Sequence, residues 1–233
     1  MYLRLFILLL SSLVAQAADE TPRTCRILFL NAPADGPEKL HLFDGISSQE
    51  VELTRMSFSP VYKIPSGDLT LALLTNPPVP KAGEDLVMPP NAPQAALAAA
   101  ISDFYLIVTS DPKNKIAPVK FQIVSANAKS FKPGQQLWFN LTENTIGGVL
   151  GTQKLLIKPQ SRNIIDAPVS KQEEYHVKIQ FKSPDNQRVE PLCETNWSHD
   201  PQNRSVFFVI DDGSLLPRIL GIPDFRSKED SNP

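Results

Sequence analysis

Apolar and polar side chains alternate along much of this chain with a period of two. Tyr175, Val177, Ile179 and Phe181 alternate with His176, Lys178, Gln180 and Lys182. Successive strand side chains point to opposite faces, so this spacing predicts a strand with one buried and one wet face. Val119, Phe121 and Ile123 alternate with Lys120 and Gln122, and Leu137, Phe139 and Leu141 with Trp138 and Asn140. Leu69, Leu71 and Leu73 repeat the pattern. Ile27 to Leu30, Phe104 to Val108, Leu155 to Ile157 and Val206 to Ile210 are apolar at every position, which predicts strands covered on both faces.

Turn-forming pairs separate these runs: Asp44-Gly45, Ser66-Gly67-Asp68, Pro133-Gly134, Gly147-Gly148 and Asp211-Asp212-Gly213. The 22 prolines leave little room for long helices. Gln94 to Ile101, rich in alanine, is the one helical candidate, and it is too short to be stable alone. The proline-dense stretch 76–93 before it predicts an extended surface loop. The fold class expected is all-β.

A faint internal repeat refines this expectation. Ile27 to Asn31 answers Leu137 to Asn140, Val51 to Leu53 answers Leu155 to Ile157, and Leu69 to Leu74 answers Tyr175 to Phe181. Asp111-Pro112-Lys113-Asn114 lies between two strand-like runs, as does Asp200-Pro201-Gln202-Asn203, and the two are matched on that basis. About seven strands per half is the count of an immunoglobulin-like sandwich. The expectation is two tandem immunoglobulin-like β-sandwiches, residues 18–127 and 128–226, with one larger β-sandwich as the alternative. Residues 227–233 read as a disordered charged tail.

The first 17 residues have the parts of a signal peptide. Arg4 is the basic region, Leu5 to Leu10 with Leu13 and Val14 the apolar region, and Ala15-Gln16-Ala17 the small-residue cleavage site. The apolar run is about half the roughly 20 residues a spanning helix needs. An exported protein, periplasmic or extracellular, without a transmembrane segment in the mature chain follows as the expectation. The formal net charge of −2 supplies no basic footprint for nucleic acid. Cys25 and Cys193 could pair after export, or remain two separate buried thiols.

Candidate chemistry is sparse. Asp-Pro-x-Asn is turn chemistry: Asp accepts backbone hydrogen bonds and Pro presets φ. The polar run Cys193 to Asp200 holds Glu194, His199 and Asp200, but adjacent His and Asp at a turn rarely converge on one ion, so no metal site is expected. No nucleophile elbow, phosphate-cradling loop or calcium loop is present, and no cofactor or catalytic residue is assigned. Trp138, opposite Phe139 on its strand, is a candidate exposed binding platform, and Trp197 a weaker one. Sequons occur at Asn140, Asn196 and Asn203.

The Phe-Leu-Asn strand (29–31), Phe43-Asp44-Gly45, Ile64 to Gly67 and Trp138 to Leu141 resemble elements of exported bacterial proteins built from small β-sandwiches. That group brings no activity and no functional residues with it. Periplasmic pilus chaperones are similar in architecture alone, with two immunoglobulin-like domains behind a signal peptide. This likeness implies binding by strand addition, although the sequence shows no equivalent of a basic pair for a client's carboxylate. The expected role is a non-enzymatic structural or protein-interaction component of the cell envelope. A carbohydrate-binding module and a chaperone-like protein are the alternatives, and the protein or polysaccharide partner is unidentified. N-terminal sequencing of the protein exported by its host is expected to begin at Ala18; an intact Met1 would overturn the cleavage assignment.

Overall fold

The computed structural model describes residues 23–79, 86–185 and 188–226, so the signal segment 1–17, part of the proline-dense loop and the tail 227–233 lie outside the described residues. The first half forms β1 (Arg23–Phe29), β2 (Lys39–Phe43), β3 (Ser48–Glu52), β4 (Tyr62–Ile64), β5 (Leu69–Leu74), β6 (Gln94–Leu97), β7 (Asp103–Ser110) and β8 (Val119–Ser125). The second forms β9 (Gln136–Asn140), β10 (Thr145–Leu150), β11 (Gln153–Ile157), β12 (Ser161–Ile165), β13 (Glu174–Lys182), β14 (Val189–Ser198), β15 (Arg204–Ile210) and β16 (Arg218–Asp224). No described helix is long and apolar enough to cross a membrane.

The strands build four sheets ordered β4-β1-β7-β8, β3-β2-β5-β6, β12-β9-β15-β16 and β11-β10-β13-β14. Adding eight to each strand number turns the first two sheets into the last two. β1 is parallel to β7, and β9 is parallel to β15. The protein is therefore two β-sandwiches in tandem, each of eight strands rather than the expected seven. The topology also corrects one repeat assignment. The Asp111-Pro112 turn joins β7 to β8, whereas Asp200-Pro201 joins β14 to β15. The two turns are not equivalent, because the same local chemistry suits any tight link between strands.

Four layers stack in the order β3-β2-β5-β6, β4-β1-β7-β8, β12-β9-β15-β16, β11-β10-β13-β14. The first sandwich core contains Ile27, Phe29, Leu42, Leu71, Phe104 and Leu106. The second contains Trp138, Ile146, Tyr175, Val177, Ile179 and Val209. A third apolar layer lies between the sandwiches, where Leu28, Leu30, Tyr105 and Ile107 meet Leu137, Phe139, Val206, Phe208 and Ile222. Hence β1, β7 and β15 are covered on both faces, as their unbroken apolar runs require. β13 keeps one wet face, with strict alternation of exposed and buried residues.

Two other expectations fail. Gln94 to Leu97 is strand β6, paired with β5 through Leu69↔Leu97 and Leu71↔Ala95. A short alanine run has too few internal bonds to hold a helix against an available sheet edge. Leu155 to Ile157 is not covered on both faces: β11 is an edge strand whose Leu156 is 64% exposed. In the proline-dense loop, Leu86 and Met88 pack over Phe43, Ala72 and Leu74, closing the outer face of the first sheet.

A buried ionic cluster pins the sandwiches together. The Asp224 carboxylate accepts from Arg26 Nη1 at 2.5 Å, Tyr105 Oη at 2.6 Å, Arg204 Nη2 at 2.7 Å and Arg226 Nε at 3.0 Å. Asp103 accepts from Arg204 Nη2 at 3.1 Å, Arg226 Nη1 at 3.0 Å and Thr24 Oγ1 at 2.8 Å. Arg204 also donates to the Ala126 and Phe131 carbonyls of the connecting segment, and Arg26 to the Ser59 and Phe225 carbonyls. Burial acts to raise the Asp224 pKa, but the guanidinium groups and the Tyr105 hydroxyl outweigh it and hold the carboxyl below its ordinary value of 3.8. The ionised form is thus favoured by folding. Its contribution is full above the ordinary value and is lost as pH falls through the lower folded one.

Asp224→Asn is expected to destabilise the protein by about 3–5 kcal/mol, because it leaves buried guanidinium charge uncompensated. Urea melts at neutral pH and near pH 3 test this. The wild type should lose stability on acidification, and the variant should lose less of it.

Candidate functional site

The second sandwich is closed along one flank, where a short turn links β11 to β12, and carries a slot along the other, between β14 and β16. The slot is built on stacked rings. Phe207 of β15 stands opposite Gly221 of β16. A Cβ at Gly221 would lie 2.8 Å from Phe207 Cε1, so only glycine lets the ring lie across the β16 backbone. Trp138 and Trp197 stack nearly parallel to Phe207, with ring centroids 4.4 and 5.2 Å away. Tyr175 meets Trp197 edge-on at 6.5 Å and His199 at 6.3 Å.

Gln136 fixes the polar end of this stack. Its Nε2 donates to Tyr175 Oη at 2.8 Å, and its Oε1 accepts from Trp138 Nε1 at 3.0 Å. Because Tyr175 Oη accepts this bond, its own proton is left to point elsewhere. Ser205 shares the slot-facing side of β15 with Phe207 by strand alternation.

His199 follows β14 directly. Its N–H donates to the Glu173 carbonyl at 2.9 Å, and its ring is turned inward, leaving the residue 5% exposed. Gly134 lies beside it and has a φ of +79°, a left-handed conformation that favours glycine. His199 Nε2 is buried yet has no hydrogen-bond partner. Burial pushes the imidazole below its ordinary value of 6.5, partly opposed by Asp200 and Glu173, so the ring is neutral at neutral pH. Asp200 accepts from Asn203 Nδ2 at 2.6 Å and from the Gln202 N–H at 2.9 Å, and these bonds hold its carboxyl below the ordinary value.

The slot has two lobes. The inner one, about 200 Å3, is lined by Gln136, Tyr175, Trp197, His199, Ser205 and Phe207 among others. The outer one, about 420 Å3, runs past His199 and Asp200 to Glu173, Glu174 and Phe225. Carboxylates line it, and among the described residues no lysine or arginine lines either lobe.

Trp138 is not an exposed platform: it is fully buried. Its strand lies in a sheet covered on both sides, so alternation there separates two cores rather than core from solvent. Trp197 is half-buried and lines the slot. Cys25 and Cys193 are both free thiols, Cys25 in the first core and Cys193 packed against the second. Asn140 is fully buried, donating to the Asn144 and Lys158 carbonyls, so its amide shapes a turn. Among the described residues no group of three or more His, Cys, Asp or Glu is placed to hold a metal ion. His199 was weighed from sequence only as a metal ligand, and Gln136, Tyr175 and Ser205 were not singled out as site residues. The available signal was a polar residue beside the apolar run of each strand, Gln136 before Leu137 to Phe139 on β9 and Ser205 before Val206 to Ile210 on β15.

Fold and slot together define a tandem β-sandwich protein with a small, ring-floored recess in its second unit. No protein family matches the sequence, and no curated protein shows similarity to it.

The His199 ring is expected to titrate below 6.5 in an NMR pH series, and Asp200→Asn should lower it further by removing a charge that favours the imidazolium. Neutral His199 contributes stability in full above the unfolded value and loses it as pH falls through the folded one. A pKa at or above 6.5 would contradict the buried, unpartnered placement.

Proposed function

We propose that this is an exported, non-enzymatic recognition protein of the cell envelope that takes its ligand into the flank slot of the second sandwich. The observation that carries this reading is a recess lined by the side chains of Tyr175, Trp197, His199, Ser205 and Phe207. Export rests on the sequence of residues 1–17.

Strand addition has weaker support. The long edge strand β14 carries Pro191, Glu190, Glu194 and a register shift against β13, all features that discourage a further strand. In the interface between the sandwiches, Arg26, Arg204 and Arg226 all pair with Asp103 or Asp224, although Arg226 Nη2 is left without a partner among the described residues.

Tagged protein recovered from its host's envelope tests the proposal against Ser205→Tyr, which fills the slot. Wild type is expected to retain a ligand that the folded variant loses. Equal retention by both would move binding to another surface, with edge strand β8, seven residues long and without proline, the first to examine.

A further inference from the structure

We propose that strand β8 is a self-pairing edge, along which two copies of this chain join antiparallel about a twofold axis and merge their β4-β1-β7-β8 sheets into one. This is independent of the slot: the partner is a second copy of the chain.

The edges of the four sheets are not alike. β14 and β16 hold Pro191 and Pro223, β3 holds Glu50 and Glu52, and β4 and β6 are three and four residues long. β11 and β12 meet along the closed flank of the second sandwich. Proline, charge and shortness are the devices by which sheets keep their edges from pairing. β8 has seven residues, no proline and one charge, Lys120. It follows β7 without a register shift, from Phe104↔Ser125 to Ser110↔Val119.

The bonds that bracket the β7–β8 ladder fix which peptide groups face outward. Ala126 N–H donates to the Asp103 carbonyl at 2.8 Å, and Asp111 N–H to the Pro118 carbonyl at 2.9 Å. In an antiparallel ladder such bonded pairs recur at every second residue. Lys120, Gln122 and Val124 therefore turn their backbone groups to β7, and Val119, Phe121, Ile123 and Ser125 turn theirs to the free edge. The Val119 N–H is taken by the Ala117 carbonyl at 2.7 Å. Among the described residues, Phe121, Ile123 and Ser125 have no backbone partner on that side.

A second β8 meets this edge in phase when Gln122 lies opposite Gln122 of the second copy. Phe121 then stands opposite Ile123 of the second copy, and each such pair exchanges both of its backbone bonds. At either end of the junction a Ser125 N–H reaches a Val119 carbonyl.

The side chains agree with this register. Phe121 and Ile123 are half-buried against the first core, so each extends the other's apolar cover across the junction. Lys120 falls opposite Val124 rather than another lysine, and no like charges stand face to face. At the axis the two exposed Gln122 amides both donate and accept. A twofold contact needs a surface that complements itself. A client peptide would need only the open backbone edge, and the matched side chains would then serve nothing.

Sedimentation velocity of the chain from Ala18 onward, from about 1 to 300 μM at low salt, tests the proposal. One strand pair makes a small interface, so a dissociation constant of about 10–100 μM is expected, with monomer at the low end of the range and dimer at the high end. Gln122→Lys sets two lysines opposite each other at the axis and should weaken the dimer about three- to tenfold. Its thermal melting should be unchanged, because the side chain is exposed. An equimolar mixture of Gln122→Lys and Gln122→Glu should regain the affinity, since only a residue that faces itself is repaired in this way. Ser205→Tyr, which fills the slot, should leave the dimer intact. A monomer throughout the range, a dimer indifferent to Gln122→Lys, or a mixture no tighter than Gln122→Lys alone would each overturn the proposal.

Discussion

Asp224 sets the terms for much of this structure. Its carboxylate lies at the end of the last described strand, fully out of solvent, and is reached by Tyr105 and Arg26 from the first sandwich and Arg204 and Arg226 from the second half. A lone buried charge would be intolerable, and so would three buried guanidinium groups without it. Each member is tolerable only when all the others are placed. The arginines add ring contacts, Arg26 with Phe58 at 5.4 Å and Arg204 with Phe131 at 5.1 Å. Sheets packed through apolar side chains can slide at modest cost; a multiply bonded carboxylate fixes one register between them.

Strand pattern was legible where one rule applied to one strand. β13 alternates because one of its faces meets water, and β1, β7 and β15 are uniformly apolar because neither face does. Errors arose where neighbours outside the window decided the outcome. Trp138 sits in a locally polar context yet is buried, because a second sheet lies over each face of β9. Leu156 is apolar but exposed, because β11 is at an edge. The Asp-Pro turns looked equivalent because turn chemistry is local, while the repeat is a property of sheet order.

The slot was less legible for the same reason. Its residues come from the connecting segment, β9, β13, β14, β15 and β16, and only the folded sheets bring them together. His199 reads as part of a polar turn, and nothing in the sequence says that its ring turns inward beneath Gly134. Asp200 and Asn203 behave as turn residues should, and they thereby hold the His199 backbone where the ring can be buried.

The sheets that meet across the middle, β4-β1-β7-β8 and β12-β9-β15-β16, occupy the same place in their respective sandwiches. The contact thus joins equivalent sheets of the two halves within one chain. The connecting segment between β8 and β9 keeps the matching faces at high effective concentration, so each half finds its own partner before another molecule's. Separated from that tether, either half would present a sheet able to join any copy of the other. The short connection therefore guards against exchange of halves between neighbouring molecules, a hazard that an internally duplicated fold creates for itself.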